Sequence, residues 1–216
     1  MSIDTAALRP ALAEGLEQLA IPADNTSVDA LLHYLTELER WNKVYNLTAV
    51  RDPKEMVTRH VLDSYAVQPY ISGIRIIDVG TGAGLPGIPL ALANPDMHFV
   101  LLDSNGKKVR FLQHVVGELG LHNVTLVQAR VKDYTAESGF DTVVCRAFTS
   151  LAEFVADSGH LAVPEGRLVA MKGKLPRDEL NELPEGWSAE AAEPVHVPGL
   201  EAERHIIVIR REPSAK

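Results

Sequence analysis

Residues 76–87 of the chain read Ile-Ile-Asp-Val-Gly-Thr-Gly-Ala-Gly-Leu-Pro-Gly. An apolar run enters a glycine loop, and the residues that follow the loop suit a helix. Twenty-three residues past Gly80, a second apolar run ends in Asp103. An acid in that place can accept hydrogen bonds from both hydroxyls of a ribose. The loop and Asp103 together therefore predict a pocket for a ligand that carries a ribose.

From Ile74 onward, apolar strand candidates alternate with helix candidates. Such alternation predicts an α/β, Rossmann-like fold with a mainly parallel seven-stranded sheet and helices on both faces. These sheets bind ligands beyond the carboxyl ends of their strands, where the glycine loop and Asp103 both fall. We expect strands at 74–79, 98–102, 124–128, 141–145, 166–171 and 204–209, a weaker one at 188–196, and helices at 86–93, 106–119, 151–160 and 177–183.

The first part of the chain has a different pattern and is predicted to form an N-terminal helical appendage. Leucines spaced three and four residues apart recur in two stretches, residues 8–19 and 31–38, which is typical of amphipathic helices. Asp52-Pro53 suits the start of a third helix, because the first helical turn does not use the N–H that proline lacks. We expect the appendage, residues 1–68, and the ligand-binding domain, residues 69–216, to form one compact unit.

The composition of the chain is typical of a globular protein and argues against a membrane-spanning or secreted one. With 216 residues, of which 46% are hydrophobic, the chain can bury a sizeable core. No apolar run approaches the roughly 20 residues that span a membrane. The amino terminus lacks the basic and apolar regions of a secretion signal, and Cys145 is the only cysteine. We therefore expect a cytoplasmic protein without a disulfide or a metal site.

The net charge of −8 argues against binding to nucleic acid through bulk electrostatics. Basic residues nevertheless cluster in three places, at 43–59, 107–110 and 172–177. Each cluster taken alone could be an ordinary solvated face. The charge pattern is therefore compatible with a local RNA-binding surface.

Asp78 helps to identify the ligand of the glycine loop. The spacing Gly82-x-Gly84-x-x-Gly87 fits the dinucleotide motif. However, a carboxylate two residues before Gly80 would repel the phosphates of a dinucleotide. S-adenosylmethionine has no phosphate, and its ammonium and sulfonium groups suit Asp78. We therefore favour S-adenosylmethionine, with a dinucleotide or a purely structural turn as the alternatives.

Further segments along the chain carry more specific information than the glycines. They are Trp-Asn-Lys-Val-Tyr-Asn-Leu-Thr (41–48), Arg-His-Val-Leu-Asp-Ser (59–64), Leu-Asp-Ser (102–104) with Lys107 and Arg110, Cys-Arg-Ala-Phe (145–148), Met-Lys-Gly-Lys (171–174) and Glu-Arg-His (203–205). With the Asp-x-Gly-x-Gly loop, which is similar to motif I of class I methyltransferases, their order resembles the ribosomal RNA small subunit methyltransferase G (GidB) family. The resemblance covers nearly the whole chain, from about Leu31 to Ile209.

This resemblance implies methylation of N7 of guanine 527 in the 530 loop of 16S rRNA, with S-adenosylmethionine as methyl donor. Relatives commonly carry an acid at the position of Lys132, a change that a backbone contact would tolerate and a side-chain contact would not. Asp78 and Gly82 are further cofactor candidates from the loop itself. By the family pattern the cofactor pocket is lined by Gly80, Leu85, Val131, Lys132 and Arg146, with Asp103 on the ribose.

The acceptor side of the pocket has four candidate catalytic residues. Guanine N7 has no proton to lose, so methyl transfer to it needs alignment and not a general base. Arg146 is the first candidate to contact guanine, because arginine suits guanine O6, with a salt bridge to Asp141 or another acid as the alternative. Asn46 and His60 are expected at the outer wall, although His60 could be a packed helix histidine. Lys172 is expected to contact phosphate.

The expected partner is 16S rRNA within the small ribosomal subunit or an assembly intermediate, bound by a monomer. An acidic protein with only local basic clusters would bind naked RNA weakly, which favours a folded ribonucleoprotein as the substrate. The alternatives are a small-molecule methyltransferase, an NAD-dependent oxidoreductase and a non-catalytic protein that binds S-adenosylmethionine and RNA.

Overall fold

The computed structural model describes residues 3–146, 148 and 150–213. The strands are β1 Arg75–Val79, β2 His98–Asp103, β3 Val124–Gln128, β4 Phe140–Arg146, β5 Ala162–Lys172, β6 Trp187–Pro194 and β7 His205–Arg211. They form one sheet in the order β3-β2-β1-β4-β5-β7-β6. The predicted α/β fold with a seven-stranded, mainly parallel sheet is therefore confirmed.

The strand order reverses between β1 and β4. The chain builds β1, β2 and β3 outward in one direction and then places β4 on the other side of β1. Strands β1 to β5 pair in parallel, and β7 lies antiparallel between β5 and β6. Open sheets of this kind bind ligands where the strand order reverses. We therefore expect the functional site at the carboxyl ends of β1 and β4.

The helices cover both faces of the sheet and form the N-terminal appendage. They are α1 Thr5–Gln18, α2 Asn25–Tyr45, α3 Pro53–Met56, α4 Asp63–Tyr65, α5 Gly87–Ala93, α6 Gly106–Glu118, α7 Leu151–Ser158 and α8 Arg177–Asn181. A carboxylate starts each of the first two helices: Asp4 accepts from the Ala7 N–H and Asp24 from the Ser27 N–H. None of the helices in the described part of the chain is long and apolar enough to cross a membrane.

The appendage shares one apolar core with a face of the sheet. The buried stripe of α2, which includes Leu31 and Leu35, belongs to the same cluster as Ile88 of α5 and Leu112 of α6. Burial of a leucine side chain stabilises a fold by about 2 kcal/mol. Packing of this stripe therefore holds the first helices against the ligand-binding domain.

The structure differs from the sequence prediction mainly within residues 53–67. The third helix begins at Pro53 as predicted, but Val57–Leu62 forms a π-helical turn between α3 and α4. Leucine spacing does not reveal such a turn, and π-helical turns often occur at functional sites. Strand β5 begins at Ala162, before the predicted position 166, because its first residues pair with β4 across an irregular register near Phe140.

Candidate functional site

The carboxyl ends of five parallel strands bring most of the predicted residues to one edge of the sheet. Gly80 follows β1, Asp103 ends β2 and Val131 lies just after β3. Arg146 ends β4 and Lys172 ends β5. Two clefts open along this edge, and we name them by the roles that the sequence predicts: the cofactor cleft at the ends of β1 to β3 and the acceptor cleft at the ends of β4 and β5. They lie on either side of the point where the strand order reverses.

The cofactor cleft has a volume of about 550 Å³, within the usual range for ligand pockets. Of the predicted cofactor residues, Gly80, Asp103, Val131 and Lys132 line it. The other lining residues are Leu102, Ser104, Lys108, Ala129, Arg130, Phe148 and Asp157. Asp78, Gly82, Leu85 and Arg146 are not among them.

Gly80 provides an open backbone surface beside the cofactor cleft. Its φ is +68°, and a Cβ built on it would meet no atom within 4 Å. The Gly80 N–H donates to the Leu102 carbonyl at 2.8 Å, which fixes the loop against β2. A side chain here would be strained and would project into open space that a ligand can occupy.

Asp78 lies fully buried beneath the glycine loop. Its Oδ2 accepts hydrogen bonds from Thr81 Oγ1 at 2.6 Å and from the Gly87 N–H at 2.9 Å. Its Oδ1 has no partner within the described residues. Burial raises the pKa of Asp78 to about 6, although the two loop hydrogen bonds oppose this rise. One oxygen therefore holds the loop, and the other is buried without a partner. The role of Asp78 toward the cationic end of the cofactor stays a prediction.

Asp103 links the glycine loop to the start of α6. Its Oδ2 accepts from the Gly82 N–H at 2.9 Å and from Lys108 Nζ at 3.3 Å, and its Oδ1 accepts from the Asn105 N–H at 2.8 Å. Carboxylate oxygens have further lone pairs, so the group retains capacity for ribose hydroxyls. Gly82 thus supports Asp103 through its backbone, and buried Leu85 supports the loop by donating its N–H to the Thr81 carbonyl at 3.0 Å.

The acceptor cleft has a volume of about 460 Å³ and combines residues from both parts of the chain. The appendage supplies Val50, Arg59, His60 and Asp63, and the sheet and its loops supply Arg146, Met171, Lys172, Gly173 and Arg204. Among its charged side chains, cations outnumber acids. The cleft therefore suits an anionic or electron-rich acceptor.

Arg146 is held at the wall of the acceptor cleft by two oxygen partners. Its Nη1 donates to the Arg59 carbonyl at 3.1 Å and lies 3.5 Å from Asp63 Oδ2. Arg204 Nε donates to the other oxygen of the same carboxylate, Asp63 Oδ1, at 2.7 Å. The acidic partner of Arg146 is thus Asp63 and not Asp141. A quarter of the Arg146 side chain remains exposed, so it can still meet a ligand.

His60 is a buried, neutral residue of the π-helical turn. Its Nδ1 lies 3.0 Å from the Arg59 carbonyl and its Nε2 lies 2.9 Å from Thr48 Oγ1. Burial, and secondly the Arg146 guanidinium, lower the pKa of His60 to about 4. The Asp63 N–H pairs with the carbonyls of residues 58 and 60. The Arg59 carbonyl, which an α-helix would pair with that N–H, is therefore available to His60 and Arg146.

Lys172 ends β5 and lines the acceptor cleft as expected, whereas Asn46 does not line it. Lys172 Nζ pairs with Glu179 Oε2 at 2.8 Å, and only 13% of its side chain is exposed. Asn46 ends α2 with φ of +51°, and its Oδ1 accepts from Arg51 Nη2 at 2.9 Å. Asn46 is exposed and is not among the residues that line the acceptor cleft. Ala147, part of a quoted segment, lies outside the described residues.

Sequence reasoning assigned no role to four residues that hold the two clefts together. They are Tyr34, Asp63, Glu179 and Arg204. The Arg-His-x-x-Asp spacing could have suggested Asp63, because residues 59, 60 and 63 are neighbours on a helix. The others meet their partners across large sequence separations, so spacing carries no signal for them.

The chain is similar in sequence to known proteins along most of its length. A family model described as GidB, rRNA small subunit methyltransferase G, matches residues 27–207. A ribosomal RNA small subunit methyltransferase G from Idiomarina loihiensis is 51% identical over 91% of this chain and 95% of its own length. The protein of the same name from Salmonella arizonae is 52% identical over 90% and 94%.

Solved structures support the fold alone, since their sequence identity is low. Magnesium protoporphyrin IX methyltransferase from Synechocystis PCC 6803, with bound SAM, has a TM-score of 0.56, 19% identity and coverage of 88% of this chain and 99% of its own. An SAM-dependent methyltransferase from Thiobacillus denitrificans, in complex with S-adenosyl-L-homocysteine, has a TM-score of 0.52, 11% identity and coverage of 70% and 90%.

Proposed function

The chain belongs to the rRNA small subunit methyltransferase G (GidB) family, and we propose on that premise that it methylates N7 of a guanine in 16S rRNA. The methyl donor is S-adenosylmethionine, and guanine 527 of the 530 loop is the proposed target. One observation carries the proposal: the cofactor cleft and the acceptor cleft lie on either side of the β1–β4 reversal. A donor in one and a base in the other can therefore meet.

The cofactor cleft has the features that S-adenosylmethionine requires. Gly80 leaves room for a ligand against the backbone, and Asp103 offers acceptors for ribose hydroxyls. Asp78 lies buried beneath the loop, where its negative charge suits a cationic ligand end across the loop. When bound, the cofactor supplies a methyl group on a positively charged sulfur. Residues Val131 and Lys132, in the turn after β3, are proposed to border the adenine.

Arg146 is proposed to bind the acceptor base. A guanidinium donates to guanine O6, and N7 must remain free for reaction. The Arg59 carbonyl and Asp63 restrain the Arg146 side chain, so it can position the base instead of moving with it. The surrounding positive charge also suits the phosphate groups next to the target nucleotide.

The transfer itself needs no proton acceptor. The N7 lone pair forms the new N–C bond while the S–C bond breaks and its electron pair stays on sulfur, so the positive charge moves to the base. His60 is neutral and hydrogen-bonded on both ring nitrogens, so its role is to shape the wall. The protein contributes alignment, which can supply several kcal/mol, about 7–11 in favourable cases.

The proposed substrate form is the small subunit or an assembly intermediate, bound by a monomer in the cytoplasm. The net charge of −8 disfavours generic attachment to RNA, and local cationic clefts favour a shaped surface. Faster methylation of assembled subunits than of protein-free 16S rRNA would support this form. Equal rates on both would contradict it.

Methyl transfer by an Arg146→Ala variant tests the acceptor site. We expect retained binding of S-adenosylmethionine by calorimetry and at least a 100-fold loss of kcat/KM on small subunits, equivalent to about 2.7 kcal/mol. Arg210→Ala is the matched control, since Arg210 pairs with Glu190 on the outer strands. A wild-type protein that binds the cofactor but transfers no methyl group would favour the non-catalytic alternative. Full activity of Arg146→Ala would overturn the assigned role.

A further inference from the structure

A third cleft adjoins the acceptor cleft and shares Arg204 with it. We call it the flanking cleft. It has a volume of about 490 Å³ and lies between the loop after β5 and the segments that connect β6 and β7. It is lined by Lys174, Leu175, Arg177, Pro194, Val195, Glu203, Arg204 and His205.

The flanking cleft holds cations that are free to bind a ligand. Within the described residues, neither Lys174 nor Arg177 makes a side-chain hydrogen bond or ion pair. Both are exposed. Lys172, by contrast, is engaged by Glu179. Lys174 and Arg177 are therefore better placed than Lys172 to contact a phosphate.

The charge of this cleft remains positive after its acids are counted. Glu203 is the acid among the lining residues, against Lys174, Arg177 and Arg204. Arg204 Nε donates a hydrogen bond to Asp63, and Arg204 Nη1 donates to the Glu203 carbonyl at 2.9 Å. In a chain with a net charge of −8, such a concentration of basic side chains beside the acceptor cleft indicates an anionic ligand.

The two clefts are close enough for one strand of RNA to cross both. Arg146 of β4 pairs in register with Met171 of β5, and the next residue of β5, Lys172, pairs with His205 of β7. His205 in turn pairs with Pro194 of β6. Neighbouring strands lie about 5 Å apart, so the flanking cleft is roughly 5–15 Å from the end of β4.

The lining chemistry favours the backbone of the strand over its bases. Stacking of bases in single-stranded sites uses aromatic platforms, and among the residues that line this cleft there is no Phe, Tyr or Trp. Lysine and arginine side chains bind phosphate oxygens without reading sequence. A phosphodiester group therefore fits this cleft better than a nucleobase.

We propose that Lys174 and Arg177, with Arg204 at the shared wall, bind a backbone phosphate of the rRNA strand next to the target nucleotide. This inference rests on the proposed function, because it takes the RNA to be the substrate in the acceptor cleft. The site positions the strand and takes no part in the methyl transfer. Its loss should weaken RNA binding and leave the cofactor untouched.

The test compares two double variants with equal changes of charge. Lys174→Ala/Arg177→Ala removes the flanking cations, and Arg9→Ala/Arg210→Ala removes two cations that pair with acids and line none of the three clefts. Steady-state methylation of small subunits gives KM and kcat, and binding of a single-stranded 16S rRNA fragment is measured over a range of salt concentrations. Calorimetry with S-adenosylmethionine checks the cofactor site of both variants.

We expect the flanking variant to raise KM for RNA at least tenfold with kcat and cofactor affinity retained. The slope of log affinity against log salt concentration should fall by about 0.7 for each lost phosphate contact. Unchanged KM and slope would overturn the proposal, and so would an equal effect of the Arg9→Ala/Arg210→Ala variant, which would indicate bulk charge. Absence of RNA methylation by the wild-type protein would instead refute the proposed function.

Discussion

The Tyr34 hydroxyl donates a hydrogen bond of 3.0 Å to the carbonyl of Ala83, so helix α2 of the appendage supports the glycine loop of the cofactor cleft directly. Tyr34 is fully buried, and Ala83 lies between the second and third glycines of the loop. Burial raises the pKa of Tyr34 above its usual range, so the hydroxyl stays protonated as a donor. The first helices therefore help to form the cofactor cleft as well as the acceptor cleft.

Tyr34→Phe should weaken cofactor binding without affecting the acceptor side. The change keeps the ring and leaves the buried Ala83 carbonyl unpaired, at a cost of about 1–3 kcal/mol. We expect a several-fold higher Kd for S-adenosylmethionine by calorimetry and an unchanged KM for RNA. Tyr45→Phe is the control, because the Tyr45 ring stacks on Trp41 at the end of the same helix and its hydroxyl makes no hydrogen bond within the described residues. Equal Kd values for wild type and Tyr34→Phe would refute this link.

The sequence predicted the cofactor half of the site more fully than the acceptor half. Gly80 and Asp103 could be identified from the sequence because parallel sheets bind ligands at the carboxyl ends of their strands. One follows a predicted strand and the other ends the next. The pairing of Asp63 with Arg146 joins residues far apart in the chain and depends on a π-helical turn that apolar spacing does not encode. Asn46 lies outside the lining of the acceptor cleft, and its left-handed backbone ends helix α2, a role that spacing alone did not indicate.

Asp63→Asn should reduce the methylation of RNA by more than the loss of stability explains. Asp63 neutralises two guanidinium groups, and its loss releases Arg146 from one of its restraints. We expect kcat to fall and KM for RNA to rise, each several-fold, with destabilisation of about 1–3 kcal/mol. The Kd for S-adenosylmethionine should not change.

Asp141→Asn controls for stability in this comparison. Asp141 accepts the backbone N–H groups of Ile74 and Arg75 at the opposite end of the sheet. Its substitution should lower the free energy of unfolding while KM for RNA stays at the wild-type value. Identical kinetic effects of the two substitutions would show that Asp63 acts through stability only.

Cofactor affinity should depend on the ionisation of Asp78. Its pKa of about 6 means that only about a quarter of the molecules carry the carboxylate at pH 5.5. Because the charged form attracts the cationic end of S-adenosylmethionine across the loop, the apparent Kd at pH 5.5 should be about fourfold that at pH 7.5. Calorimetry at both pH values measures this ratio. In Asp78→Asn the ratio should fall toward one; if it does not, another group is responsible.

His60 should make the fold less stable as the pH falls. Its folded pKa of about 4 lies below the ordinary 6.5, so below pH 6.5 the unfolded chain binds a proton that the folded chain excludes. Between pH 8 and pH 5 this group should lower the free energy of unfolding by about 2 kcal/mol. Urea unfolding at both pH values measures the decrease in the free energy of unfolding. This decrease should be larger by about 2 kcal/mol for wild type than for His60→Gln. Parallel losses in the two proteins would mean that His60 titrates normally.

Membership of this family implies that the chain places a methyl group on N7 of one guanine of 16S rRNA. Mass analysis of 16S rRNA from cells with and without the gene detects that methyl group. We expect deletion of the gene to remove a single 7-methylguanosine, at guanine 527 of the 530 loop. The wild-type gene should restore it, and the Arg146→Ala form should not. An unchanged modification map after deletion would refute the proposed function.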